Sequence, residues 1–235
     1  MPRIRYCIPG VTPGGDGTTT ATTGANRAYS SQSEAEAAEQ GDLDAMDGFL
    51  LRCKKGTVAD TTKVTYSGWS GNSPTKYIHV VAYEDGIHDG TAGSGYRIER
   101  NAGHCIEILE EYTRIGEAGA GIEVRSTSTG DSDEGIRLNL SNSDLLDVYI
   151  VGNIIHSTTN TANKDGIYFA PGPATQSLTL GLYANVIYGW GRGGIHAQMH
   201  SGSGTIVINA IHNVFHNNGT GAATTADILG RAVSG

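Results

Sequence analysis

The chain has 235 residues, 34 of them glycine, with 7% aromatic and 17% charged residues and a formal net charge of −8. That length fits one domain with a continuous core, and the acidic balance argues against a phosphate-backbone ligand, so no nucleic-acid partner is expected. No apolar run reaches membrane-spanning length, so no membrane partner is expected, and the start Met-Pro-Arg-Ile-Arg lacks the apolar stretch of a secretion signal.

In chain order, residues 1–32 read as an irregular arm, because 9–30 are rich in Gly, Thr and Pro and show no periodicity. Ser31 and Ser33 each precede a glutamate by three residues, Glu34 and Glu36, which is a capping-box pattern and predicts a short helix over 33–40 that Gly41 ends. Its apolar face holds only Ala35, Ala37 and Ala38, too slight for a bundle core. The helix suits the capping of a raw sheet edge. Short strands are then expected at 49–53, 63–69, 77–83, 96–100, 105–109, 112–116 and 121–126, separated by turn chemistry. The repeat is degenerate in this half, so irregular early coils are expected there.

The second half repeats plainly. LLDVYIVGNIIH, SLTLGLYANVIY and TIVINAIHNVFH begin at Leu145, Ser177 and Thr205, 32 and then 28 residues apart. Aligned, they place Leu146, Leu178 and Ile206 in one column, Val148, Leu180 and Ile208 in the next, and Ile150, Leu182 and Ala210 in a third; this period of two means strand. Asn153, Asn185 and Asn213 share a column where a left-handed bend would turn the corner. EGIRLN, DGIYFA and GGIHAQ, from Glu134, Asp165 and Gly193, form a second repeat at matching intervals. A period near thirty with several strands per unit predicts a parallel β-solenoid over 33–235, each coil stacked on the next about 4.8 Å away. The LxxLxL spacing of leucine-rich repeats is missing, and a propeller blade needs a longer antiparallel meander. The fold class read here is all-β: a single right-handed parallel β-helix with a capping helix.

Stacking also nominates chemistry. Glu134 and Asp165 share a column, so their carboxylates would lie roughly 5 Å apart, the separation of a retaining-glycosidase pair, with Lys164 and Arg137 supplying positive charge; solvated acids at a corner are the plainer alternative. Arg137, Tyr168 and His196 share another column, read either as a side-chain stack or as a ligand-binding surface for sugar. His156, Tyr188 and His216 form a third. Asp131, Asp133 and Glu134 offer oxygen ligands at the spacing that opens a calcium loop, so Ca2+ is the one cofactor this chain suggests, against an ordinary acidic turn. His196 and His200, or His212 and His216, have no metal meaning at their spacing on strands and loops. Cys7, Cys53 and Cys105 are odd in number and lack a CxxC pair, so neither a disulfide framework nor a zinc site is expected. Adjacent apolar pairs, Ile154 and Ile155, Val186 and Ile187, Val214 and Phe215, read either as one inward column and one outer stripe that would mark a partner surface, or as a bent corner that tucks both columns in.

GGDGTT (Gly14 to Thr19), GANRAYSS (Gly24 to Ser31), EAEAAEQGDL (Glu34 to Leu43), TYSGW (Thr65 to Trp69), KYIHVVA (Lys76 to Ala82), EEYTRI (Glu110 to Ile115) and DEGIRL (Asp133 to Leu138) resemble the pectate-lyase-like β-helix proteins of tailed phages. The resemblance covers most of the chain. It implies a virion protein, made in the host cytoplasm without a signal peptide. The expected role is structural and non-enzymatic: capsid decoration or a tail-associated, tailspike-like β-helix that stabilises the particle or presents a glycan-binding surface. The expected partners are two further copies in a homotrimer, major capsid or tail proteins, and cell-surface polysaccharide. The alternative is a polysaccharide lyase or glycoside hydrolase working through Glu134 and Asp165.

Overall fold

The computed structural model describes residues 1–131, 133–139, 145–170, 177–199, 205–219 and 226–232. It is an all-β, right-handed parallel solenoid. Three sheets run its length. The first holds Arg3–Cys7, Phe49–Cys53, Ile78–Ala82, Thr113–Ile115, Leu145–Val151, Ser177–Tyr183 and Ile206–Ile211. The second holds Arg97–Arg100, Glu123–Ser126, Ile154–Ser157, Val186–Tyr188 and Val214–His216, and the third holds Val64–Tyr66, Ile106–Ile108, Ile136–Asn139, Asp165–Ala170, Gly193–Met199 and Ala226–Ala232. From Ile78 onward every coil visits the sheets in that order, so each twelve-residue copy is two strands joined at a corner.

Register follows the sequence columns. Leu146 pairs with Leu178 and Leu178 with Ile206; Val148, Leu180 and Ile208 align, as do Ile150, Leu182 and Ala210. Inward residues are the buried ones: Val148, Ile150, Leu180 and Leu182 from the first sheet, Val124, Ile155 and Ile187 from the second, and Ile136, Leu138, Ile167 and Phe169 from the third are all fully buried. Each such side chain contributes about 1.5–3 kcal/mol by leaving water. The early coils depart from the sequence expectation. Ile78 pairs with Thr113, Ile98 with Val124 and Ile106 with Ile136, so the stack there is regular although its spacing is not. Longer corner loops break the sequence period while the strands stay in register.

The corners are built differently from the sequence reading. Positive φ falls at Gly152, Ala184 and His212, one residue before each asparagine. The asparagines instead form an amide ladder inside the corner. Asn153 Nδ2 donates to Asn185 Oδ1 at 3.2 Å and Asn185 Nδ2 to Asn213 Oδ1 at 2.9 Å, while the same oxygens accept from the Asn153 and Asn185 backbone amides. Each side chain also donates to a carbonyl one coil down, that of Ile115, Ile150 or Leu182.

At the N-terminal end the helix spans Gln32–Glu39, and Ser31 Oγ accepts from the Glu34 amide at 3.0 Å. Its underside is polar. Gln32 Oε1 accepts from Tyr66 Oη at 2.7 Å, the Gln32 amide donates to Asp60 at 2.8 Å, and the Ser67 amide donates to Glu36 at 3.1 Å. Glu39 accepts from Arg3, Arg5 and Tyr29. Burial pushes the Asp60 carboxyl above its ordinary value, against the hydrogen bonds it accepts from the Gln32 and Thr62 amides and from Tyr96. No helix among the described residues is long and apolar enough to cross a membrane.

Candidate functional site

Three outward columns carry chemistry, one on each sheet. On the third sheet the Gly after each acid has a packing reason. A β-carbon on Gly135 would sit 2.7 Å from the Gly166 carbonyl oxygen, and one on Gly166 would sit 2.5 Å from that of Gly194 and 3.0 Å from Trp190 Nε1. Ile136 pairs with Ile167 and the Gly135 amide donates to the Asp165 carbonyl at 3.1 Å, so Glu134 and Asp165 are neighbours as the columns require. Their charges are separated by choice of partner. Glu134 turns one coil down to His104 Nδ1, and Asp165, fully buried, turns one coil up to Arg192 and to His196 Nδ1 at 3.1 Å.

Arg137 donates from Nη1 to His104 Nε2 at 3.1 Å. A guanidinium only donates, so His104 accepts there and its Nδ1–H faces the Glu134 carboxylate. Arg137, Tyr168 and His196 do align. The Tyr168 ring lies 5.7 Å from both the Arg137 and the Arg192 guanidinium carbons, and its hydroxyl donates to Gln198 at 2.9 Å. His196 is 4% exposed, and its Nε2 is buried without a partner among the described residues. Lys164 does not join this cluster. Its Nζ donates to Ser128 O at 2.8 Å, Thr159 Oγ1 at 2.9 Å and Ser157 Oγ at 3.2 Å, tying two coils at a corner. Burial holds this amine below its ordinary value.

The proposed calcium ligands take separate partners: Asp133 accepts from Ser128, Glu134 faces His104, and Asp131 is exposed. No group of three metal-ligating side chains converges among the described residues. His200 lies outside them.

On the second sheet, Glu99, Arg125, His156, Tyr188 and His216 form one column. Arg125 donates to Glu99 at 3.0 Å, His156 donates from Nε2 to Glu123 at 2.8 Å, and the His156 and Tyr188 rings stack at 4.8 Å and 17°. Burial works against the Glu123 charge, but the His156 bond and the Gly93 amide outweigh it and hold the carboxyl below the usual range. The apolar pairs divide as the strand period demands. Ile155 and Ile187 are fully buried, whereas the other column runs from buried Ile154 to Val214, which is 54% exposed.

The first sheet presents the column that the sequence reading missed. His79, Arg114, Tyr149 and Gly181 are register partners on successive strands. The Arg114 guanidinium lies 3.8 Å from the Tyr77 ring centre and 5.2 Å from that of Tyr149, and Tyr149 stacks on Tyr183 at 6.4 Å and 14°. Tyr149 lies flat over the next strand: a β-carbon on Gly181 would come within 2.5 Å of its ring. Tyr77, Arg114, Tyr149 and Tyr183 are half-buried, leaving the tyrosine rings partly in water. The strip ends at an open cavity of about 200 Å³ lined by Asp47, Leu50, Thr75, Tyr77 and His79. The available signal was the pairing of Tyr149 with Gly181 in the aligned copies, visible once neighbouring columns are compared.

Comparison with protein-family models, with curated proteins and with solved structures found no match for this chain.

Proposed function

We propose that this protein is a non-enzymatic structural component of a tailed-phage particle, related to the pectate-lyase-like β-helices, that presents a glycan-binding face on its first sheet. The observation that carries this is the continuous run of Tyr77, Arg114, Tyr149 and Tyr183 beside an open cavity. Flat aromatic rings offer apolar faces to the C–H face of a sugar, and Arg114 and the cavity's Asp47 and Thr75 offer hydrogen bonds to its hydroxyls. Across coils about 4.8 Å apart, such a strip spans several sugar units of a host-surface polysaccharide. The engagement of both acids supports the non-enzymatic reading: Glu134 faces the His104 imidazole and Asp165 is paired with the Arg192 guanidinium.

The test is binding of purified host polysaccharides, read by calorimetry. Tyr149→Ala should weaken binding about tenfold, the equivalent of about 1.4 kcal/mol, with the far-ultraviolet spectrum unchanged. Absence of polysaccharide binding by the unaltered chain, or full binding by Tyr149→Ala, would sink the glycan role. Assembly as a homotrimer bound to capsid or tail proteins belongs to the same reading; a monomer by light scattering that also fails to bind particles would remove it. The hydrolytic alternative has one observation in its favour, the buried Asp165–His196 pair with a free Nε2. New reducing ends or unsaturated products that disappear in Asp165→Asn would establish it instead.

A further inference from the structure

The strand Arg3–Cys7 is the outermost of the first sheet. It pairs along its length only with Phe49–Cys53, in a register that sets Cys7 directly against Cys53. On its other side it is held at the Cys7 end, where the Tyr6 amide donates to the Gly17 carbonyl at 2.8 Å, the Ile8 amide to the Tyr29 carbonyl at 2.8 Å and the Tyr29 amide to the Tyr6 carbonyl at 2.9 Å. Both cysteines carry free thiols, are fully buried and belong to the same core cluster. Parallel neighbours lie about 4.8 Å apart, inside the range of about 4.4–6.8 Å found between the α-carbons of disulfides. In-register β-carbons keep nearly the same spacing, whereas a relaxed disulfide has them about 3.8 Å apart. Bond formation must therefore draw the strands together by about 1 Å at that point. The outer neighbours at Cys7 are segments of the arm, so the shift carries Gly17 and Tyr29 with the strand and disturbs no second strand of the sheet.

We infer that Cys7 and Cys53 form a reversible disulfide that staples the N-terminal strand, with the helix and arm that follow it, to the first coil when the protein enters an oxidising medium. The oxidant is a low-molecular-weight disulfide. One protein thiolate attacks it and expels a small thiolate; the second protein thiolate attacks the mixed disulfide and expels the other. One S–S bond forms in the protein and one breaks in the oxidant, and the two protons lost by Cys7 and Cys53 end on the two departing thiols.

Timing follows from burial. Burial, with the Cys53 thiol alongside, pushes the Cys7 thiol well up, so the docked pair is unreactive. Reaction proceeds when the strand opens locally together with the arm residues Gly17 and Tyr29 bonded to it. Drawing the strands together stores strain in the bond, which keeps it reducible. Cys105 is the internal control, since it sits at a different place in the core and its thiol donates to the Arg125 carbonyl at 3.3 Å.

The experiment uses the full chain incubated with excess oxidised glutathione, acid-quenched, denatured, alkylated and digested without reductant, then mapped by mass spectrometry. A linked peptide pair containing Cys7 and Cys53, with Cys105 alkylated, is expected. The melting temperature should rise by about 5 °C on oxidation and return with dithiothreitol. Cys105→Ala should respond as the unaltered chain does, and Cys53→Ala should not respond. Because Cys53→Ala also removes core volume, the peptide map of the unaltered chain decides. Alkylation of both Cys7 and Cys53 after oxidation, or a link to Cys105, overturns the inference; a Cys7–Cys53 bond that leaves the melting temperature unchanged overturns the stapling role.

Discussion

Asn185 occupies the middle of the amide ladder and serves four partners: it donates to Ile150 O and Asn213 Oδ1 and accepts from the Asn153 amide and side chain. Asn185→Ala leaves the fully buried Asn153 and the Ile150 carbonyl short of partners. Urea denaturation should show a loss of about 3 kcal/mol. A loss under 1 kcal/mol would mean that water replaces the amide, contrary to the ladder's role. The asparagine column was legible because the three copies align without gaps. Its use was not, since the left-handed residues before it are Gly152, Ala184 and His212, which share no side-chain signature. Glu123 gives a second test. Its carboxyl is held below its ordinary value of 4.5, so it binds fewer protons folded than unfolded. Its contribution is therefore full above that value and is lost as pH falls through the lower folded one. Glu123→Gln should cost about 2 kcal/mol at neutral pH and progressively less in acid. A stability difference that stays constant from neutral pH into acid would refute the assignment.

At the scale of elements, the cap was legible from Ser31 and Glu34, three residues apart, and the structure places Ser31 Oγ on the Glu34 amide. Ser31→Ala should lower stability by about 1 kcal/mol, measured by thermal melting; no change would mean that the helix needs no N-terminal acceptor. What holds the helix down was not legible. The alanines suggested a thin apolar face, but Gln32, Glu36 and Glu39 are buried against Tyr66, Ser67, Asp60, Arg3, Arg5 and Tyr29, partners scattered through the sequence. Arg3–Cys7 was hidden for a related reason. A single strand with no repeat copy nearby shows no column, and its pattern of burial depends on the cap above it. The tyrosine strip on the first sheet escaped because its members come from different coils, and only Tyr149 and Tyr183 fall within the aligned copies.

For the whole molecule, the stacking order was readable from arithmetic on the sequence. Residues 28 to 32 apart become neighbours, as Leu146 and Leu178 or Leu178 and Ile206 do. The early coils resisted because insertions such as Tyr83 to Gly95 change the spacing without disturbing the strands. That same geometry gives the protein a directional resistance to force. The inter-strand hydrogen bonds point along the long axis, so tension applied between the two ends loads one coil's bonds at a time, like a zipper, while tension along the strands of one coil loads all of its bonds together, in shear. In an optical trap pulling end to end, extension should grow in steps of about 100 Å, the extended length of one coil of roughly thirty residues. A single rip releasing the whole chain would show instead that the coils fail as one body. For a rod anchored at one end and tugged at the other, stepwise yielding would absorb a jolt by paying out slack while the remaining coils stay folded.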